Sequence, residues 1–567
     1  MENKYISNKI LISLLKQYGI NKLVLSSGCR NIPFVSTVET DPNFECFSVI
    51  DERNAAFFGM GLSQQSNEPV AIACTSGTAA SNYITGVTEA FYSHVPLVIL
   101  TFDRSPYMYN QLETQKIDQE SIFKSITKKS VTLPVIKDSD DIWYCKRLIN
   151  EALISLKQHG NGPVHINIPL VGNMNNLFND VIDNNKIDEI DRIDYINQLD
   201  NKKWQEAADR FKNFKKVLLV IGQKSYMTEE EKNNIKEFVK ITKCPVLADN
   251  LANFKCEEFI MAGPIIKALN SKTIDKLLPE LVISFGDNMQ ERIKELLRNK
   301  NIQHWSIDEA GEIRDCFKSL TVLYECSPQY FFEKMNKLIL NNYNADGIYL
   351  NSWKKVSNAI ELPEMPFTNF YVSKEFSKVI PKNSTLHLSI LNATRQMQFF
   401  NLDESIKVFS NVNAFGIDGC LPTFMGQAYA SDNLSFIVIG DLSFFYGMNA
   451  LAIKHVKNNV RVLMINNGGG AEFHIQPDSN SIPTIDKHIG AAHSRTAKDW
   501  AISLGYEYMC ANDKESFNLN LNNFINNNSD KPIFFEVFTN MKLDGEFCLS
   551  VYRHMEKSIE NVLEGIN

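Results

Sequence analysis

The chain has 567 residues, 44% hydrophobic and 22% charged, with a formal net charge of −8. That length exceeds one hydrophobic core and fits three domains of ordinary size, and the composition is that of a soluble globular protein. The acidic balance excludes a general nucleic-acid or anionic-membrane binder, both of which need a basic face, and no apolar run approaches a membrane span.

In chain order, Ile6, Ile10, Leu14 and Leu15 recur at helical spacing and Lys9 interrupts the apolar run, so no signal peptide is expected. Lys22–Ser26, Cys46–Ile50, Pro69–Cys74 and Val95–Phe102 read as strands, with helices at Arg53–Gln65 and Thr78–Ser93. An Asn/Asp-rich stretch from Val171 to Leu199 reads as a linker. Val217–Ile221, a helix near Thr228–Ile241, Val246–Ala248 and Leu281–Phe285 follow, and a second polar stretch, Asn341–Asn351, closes the middle third. In the last third Leu386–Ile390, Val408–Ser410, Phe436–Ile439, Val460–Ile465 and Ile533–Val537 read as strands, with a helix over Tyr446–Lys457. Strand–helix alternation throughout predicts an α/β fold of parallel sheets covered on both faces. The expected domains are 1–180, 200–340 and 350–567. Eleven scattered cysteines with no Cys-x-x-Cys suit the reduced thiols of a cytoplasmic protein.

Chemistry concentrates at Ile439-Gly440-Asp441-Leu442-Ser443 and Met464-Ile465-Asn466-Asn467-Gly468-Gly469-Gly470. Two strands end at these segments, and open α/β sheets place ligands at such carboxyl ends. One carboxylate, one amide oxygen and a glycine-freed carbonyl suit a hard cation that also grips a diphosphate. The plainer alternative is a strand–turn–helix with Asp441 as a cap. The spacing resembles the metal motif of thiamine-diphosphate (ThDP) enzymes, which implies Asp441, Asn467 and Gly469 as ligands of Mg²⁺, with Mn²⁺ as a substitute.

Further motifs run in order: Ser26-Ser27-Gly28-Cys29-Arg30-Asn31, Asp51-Glu52-Arg53-Asn54, Cys74-Thr75-Ser76-Gly77-Thr78-Ala79, Leu100-Thr101-Phe102-Asp103-Arg104, Gln115-Lys116-Ile117-Asp118-Gln119 and Gly416-Ile417-Asp418-Gly419. Together they resemble the ThDP enzymes that make succinyl-enolpyruvyl-hydroxycyclohexene-carboxylate (SEPHCHC) in the menaquinone pathway. The resemblance spans the chain, strongly at both ends and weakly in the middle. It implies pyrimidine-binding, central and diphosphate-binding domains, and homodimers or homotetramers with shared active sites. It implies Glu52 as the carboxylate that activates the aminopyrimidine, although a first-turn Glu also complements a helix dipole. Cofactor contacts are implied at Ser76, Gly77, Gly416, Gly440 and Ser443. Ile417 is implied as the wedge that folds the cofactor, or it is simply a core isoleucine.

The implied reaction decarboxylates 2-oxoglutarate and joins the fragment to isochorismate. Both are small-molecule anions, and the resemblance implies Arg30, Arg104, Arg292 and Arg395 for bidentate carboxylate contacts, with Gln115 and Phe473 beside them, although any one arginine could instead form a surface salt bridge. The sequence departs from the family here. Val412-Asn413 stands where the family has Arg-Gly, Glu291 where it has Lys, and Glu472 where it has an apolar residue. Cys29 replaces a serine and Thr114 an asparagine. These changes lie on the acceptor side and suggest another acceptor, such as a keto-sugar; an acetolactate-type ligase using pyruvate is the other enzyme reading. The N-terminal third holds only His94, His159 and His165 and lacks the adjacent histidine pair of simple decarboxylases, which tilts the reading towards C–C bond formation. A ThDP-binding sensor without catalysis would not need Glu52. Gly222-Gln223-Lys224 lacks dinucleotide-fingerprint spacing, so no FAD is expected. His474 and His493 read as partly exposed histidines that could line the pocket.

Overall fold

The computed structural model describes residues 5–171, 189–190, 192, 200–340, 343–476, 478–526 and 528–566. Three six-stranded parallel sheets follow one another along the chain. The first holds β1 (Lys22–Leu25), β2 (Glu45–Ser48), β3 (Val70–Cys74), β4 (Leu97–Asp103), β5 (Lys129–Thr132) and β6 (Val164–Pro169), in the order β2-β1-β3-β4-β6-β5. The second holds β7 (Val217–Ile221), β8 (Val246–Ala248), β9 (Phe259–Met261), β10 (Leu281–Phe285), β11 (Gln303–Ile307) and β12 (Leu320–Tyr324), ordered β12-β11-β10-β7-β8-β9. The third holds β13 (Thr385–Leu388), β14 (Lys407–Phe409), β15 (Ser435–Gly440), β16 (Val460–Asn466), β17 (Glu507–Ala511) and β18 (Ile533–Phe538), ordered β14-β13-β15-β16-β18-β17.

Counted within each sheet, the first and third share one strand order, whereas the second has the doubly wound dinucleotide-fold order. At its switch point a Cβ on Gly222 would stand 2.5 Å from the Asp287 carbonyl oxygen, so the chain's own backbone fills that crevice.

Two compact units result. One comprises Met1–Asp194, Asn411–Asp432 and Ser443–Val460 and contains the first sheet. There the helix Glu52–Ser66 crosses the helix Cys420–Tyr429 closely enough that a Cβ on Gly61 would lie 2.0 Å from the Thr423 carbonyl oxygen. The other unit comprises Tyr195–Ser410, Asn433–Leu442 and Arg461–Asn567, with the second and third sheets. Its core includes Ile265, Ile266, Trp353 and Phe370, against which the helix Met541–Glu564 packs Val551, Met555 and Ile559.

Each strand expected from sequence lies within two residues of an observed one. The six strands that sequence patterning misses are short edges or carry buried polar residues. In β6, His165 bonds Thr101 Oγ1 at 2.8 Å and Ser130 Oγ at 2.9 Å, and in β11, His304 bonds Ser284 Oγ at 2.7 Å. Polar groups satisfied inside a sheet break the apolar run that patterning detects.

Two helix expectations and one expected polar connection need correction. The helix over Thr78–Ser93 is two, Thr78–Asn82 and Ile84–Tyr92, because the backbone tightens where Tyr83 is swallowed by the core. The helix over Tyr446–Lys457 instead starts at Asp441 and ends at Gly447, a poor helix former, with a 3₁₀ turn at Met448–Ala452 and no helix at 453–459. The polar stretch Asn341–Asn351 runs into the helix Ile348–Ala359. Most of the expected linker at Val171–Leu199 lies outside the described residues.

Candidate active site

In the second unit the adjacent strands β15 and β16 end at Gly440 and Asn466 and deliver Asp441 and Asn467 to one sheet edge. Asp441 Oδ2 accepts the backbone N–H groups of Gly468 (2.8 Å) and Gly469 (3.0 Å), and Asn467 Oδ1 accepts the latter at 3.3 Å. A carboxylate oxygen and an amide oxygen therefore converge on one backbone atom. The turn requires glycine: Gly468 has φ +85° and Gly469 φ +153°, and a Cβ on Gly469 would meet the Gly490 carbonyl oxygen at 2.7 Å.

Asn467 Nδ2 donates to Asp544 Oδ2 at 3.0 Å, which turns the amide oxygen towards the glycine turn. Burial pushes the Asp544 carboxyl up to about 6. Burial also raises Asp441, opposed by His493 and by three backbone N–H donors. His493 Nε2 stands 3.4 Å from Asp441 Oδ2 with its side chain only 4% exposed, and His474 bonds Asp486 at 2.7 Å and is 3% exposed. His474 is thus buried rather than partly exposed, whereas His493 is half-buried as a residue, with its side chain turned in against Asp441. The Asp441 carboxylate and the Asn467 amide oxygen are hard donors of the kind a small hard cation takes, while the Gly469 carbonyl accepts the Ala471 N–H at 3.2 Å. Phe473 covers the turn, since a Cβ on Gly470 would meet its ring at 2.8 Å.

In the first unit the motif residues gather at the carboxyl edge of the first sheet. Glu52 opens the helix Glu52–Ser66, but Asp51 is the cap, accepting the Asn54 N–H at 3.2 Å. The Glu52 carboxyl, half-buried, is left with a long contact of 3.4 Å from Asn82 Nδ2. Ile417 is half-buried rather than part of the core, and its carbonyl accepts Ser443 Oγ at 2.7 Å. Ser76 is 1% exposed and its hydroxyl has no partner among the described residues, an orphaned buried donor that suits a polar ligand. Gln115 (φ +59°) presses on Gly77, in a strap pinned by the buried Lys116–Asp103 pair (2.6 Å) and by Gln119 Oε1, which accepts the Gly77 N–H at 2.8 Å.

Sequence reasoning missed Glu89. It is 2% exposed, and its carboxylate accepts the backbone N–H groups of Asn413 (3.2 Å) and Ala414 (2.7 Å), immediately before Gly416-Ile417. Burial raises its pKa against these donors. The available signal was a lone acid inside the otherwise uncharged helix Ile84–Tyr92.

The predicted substrate arginines are mostly paired within the chain. Arg104 bonds Glu113, Arg292 bonds Glu295 at 3.0 Å, and Arg395 bonds Glu472. Arg30 has no carboxylate partner among the described residues; its backbone N–H donates to Thr75 Oγ1 at 3.2 Å.

Residues 7–122 match the model of the thiamine pyrophosphate enzyme N-terminal TPP binding domain. The chain is 34% identical over 556 residues to a 2-succinyl-5-enolpyruvyl-6-hydroxy-3-cyclohexene-1-carboxylate synthase of Bacteroides fragilis, covering 96% of this chain and 98% of that protein. The like-named proteins of Bacteroides thetaiotaomicron (34%, covering 96% and 98%) and Flavobacterium johnsoniae (30%, covering 93% and 95%) are also similar.

Proposed function

Because the chain belongs to the 2-succinyl-5-enolpyruvyl-6-hydroxy-3-cyclohexene-1-carboxylate synthase family of thiamine-pyrophosphate enzymes, we propose that it is a ThDP- and Mg²⁺-dependent carboligase. It decarboxylates a 2-oxo acid of the 2-oxoglutarate type and transfers the resulting acyl carbanion to an acceptor, forming a C–C bond. The observation that carries the reading is the convergence of Asp441 and Asn467 oxygens on the Gly469 N–H in a turn only glycine can make.

Asp441, Asn467 and the Gly469 carbonyl would hold Mg²⁺, and the glycine turn would lie against the diphosphate. ThDP, when bound, supplies a carbon acid that can carry the electron pair left by departing CO₂. Glu52 holds a proton at its carboxyl for exchange with the cofactor's aminopyrimidine nitrogen, a role left open to it because Asp51 already caps the helix. Ser443 and Glu89 fix the backbone on either side of Ile417, so that its side chain keeps one position. Arg30, without an internal carboxylate partner, is the cation best placed to bind a substrate carboxylate.

Self-association with shared sites, a cytoplasmic location and the domain limits 1–180, 200–340 and 350–567 belong to the same reading. Among the described residues no helix is long and apolar enough to cross a membrane. The test is mass spectrometry of products from a panel of 2-oxo acids with ThDP and Mg²⁺, each with and without candidate acceptors. Cofactor-dependent CO₂ release with a ligated product is expected; no release from any 2-oxo acid refutes the proposal.

A further inference from the structure

Five elements of the second unit bring four charged side chains and a tyrosine together near the glycine turn. Lys267 comes from the helix Ala262–Ala268, Arg292 from Glu291–Leu297, Arg395 from Asn392–Met397, Glu472 from the 3₁₀ turn Ala471–His474, and Tyr552 from Met541–Glu564. Lys267 Nζ sits 4.6 Å over the Tyr552 ring and has no carboxylate partner among the described residues. Burial, with Arg395 and Arg292 nearby, lowers its pKa, so the cations do sense one another. Such a cluster ordinarily invites an anion. Here one is already built in. Glu472, 8% exposed, gives one carboxylate oxygen to Arg395 Nη1, while the other accepts Gln476 Nε2 at 3.3 Å.

Glu472 is not free to swing away. Its neighbour Phe473 lies on Gly470, and His474 is jammed against Gly545, where a Cβ would meet it at 2.4 Å. The Arg395 side chain remains 36% exposed, so a ligand can reach the pair from solvent. An incoming carboxylate would find the guanidinium neutralised and a second carboxylate beside it, and like charges so juxtaposed repel. An incoming hydroxyl would instead find a carboxylate that accepts its hydrogen bond.

We propose that Glu472 is a specificity-determining residue: its carboxylate occupies Arg395 in place of a ligand carboxylate, so the acceptor is uncharged at this end and hydroxylated, as in a hydroxy-aldehyde or hydroxy-ketone. This rests on the carboligase reading above and names its acceptor class. The acceptor carbonyl carbon bonds to the transferred acyl carbon, and the carbonyl oxygen takes a proton to become a hydroxyl.

Two probes of nearly equal size separate the alternatives: glycolaldehyde, a neutral hydroxy-aldehyde, and glyoxylate, its carboxylate counterpart. Holoenzyme is supplied with whichever 2-oxo acid gives CO₂ release, and kcat/KM is measured for each probe. Wild type is expected to favour glycolaldehyde, and Glu472→Gln to shift the ratio towards glyoxylate by about tenfold or more. Glu472→Met, which removes the charge and the hydrogen bonds together, should shift it the same way if one variant folds poorly. Calorimetry with malonate, which cannot react, gives a reading without turnover: binding to the variants and little to wild type. CO₂ release with an unchanged acceptor ratio and equal malonate affinity overturns the proposal alone. Absence of CO₂ release from every 2-oxo acid overturns the carboligase reading as well.

Discussion

The first and third sheets have the same strand order and present different chemistry at the same edge. The first edge offers side chains: Glu52, Ser76, Arg30 and Arg104. The third offers mostly backbone, the glycine turn at 468–470 folded onto Asp441. Topology thus decides where ligands can bind, and loop residues decide what binds there. Backbone sites depend on φ/ψ and fail when a Cβ is added. Side-chain sites depend on charge and fail when a proton or carboxylate is removed.

The largest expected effect breaks the first edge. Glu52→Gln should lower turnover by about 10²–10⁴-fold, the range for loss of a proton-transfer group, while ThDP binding persists. Turnover assays and calorimetric ThDP titration measure the two separately; near-normal turnover removes the assigned role.

The same edge is backed by a polar strand interior, and the buried His165 there gives the first sheet a pH dependence of its own. Burial lowers the His165 pKa to about 3, while an unfolded histidine titrates near 6.5. The unfolded state therefore binds the proton first, and stability falls as pH drops below about 6.5 towards 3. The slope should approach about 1.4 kcal/mol per pH unit. His165→Gln should flatten that part of the stability–pH curve in denaturant titrations; an unchanged slope would assign the acid sensitivity elsewhere.

Gly469→Ala breaks the third edge without touching a charge. Its φ of +153° and the 2.7 Å approach to the Gly490 carbonyl oxygen should cost about 1–3 kcal/mol of stability. The variant should also need more Mg²⁺ and ThDP for half-saturation, read by calorimetry. Wild-type affinity in a folded Gly469→Ala variant would dissociate the turn from the cofactor.

What could be read from sequence follows the same division. Gly440-Asp441 and Asn467 through Gly470 announce themselves because a backbone geometry demands particular residues at fixed spacing. Strands β3, β4, β7, β10 and β15 announce themselves as apolar runs. Side-chain partnerships do not. Nothing in the spacing of Arg395 and Glu472, 77 positions apart, says that they meet, nor that Glu89 reaches Asn413 and Ala414 from 324 and 325 positions away. The buried His165 and His304 were hidden because their partners come from neighbouring strands.

The smallest effect compares two arginine pairs that the sequence presents alike. Arg292 and Glu295 are one helical turn apart, 37% and 48% exposed, and water screens them well. Arg292→Gln should therefore cost less than about 1 kcal/mol in thermal or chemical unfolding. Arg395→Gln differs in kind, because it strands Glu472, whose side chain is 10% exposed, without its cation. An unpaired buried carboxylate costs its desolvation, so the loss should be about 1–3 kcal/mol, and Glu472→Gln in the same chain should recover part of it. Equal losses for the two arginine variants would mean that Glu472 finds water or another donor once Arg395 is gone. The pair would then be a surface contact with no hold on the site.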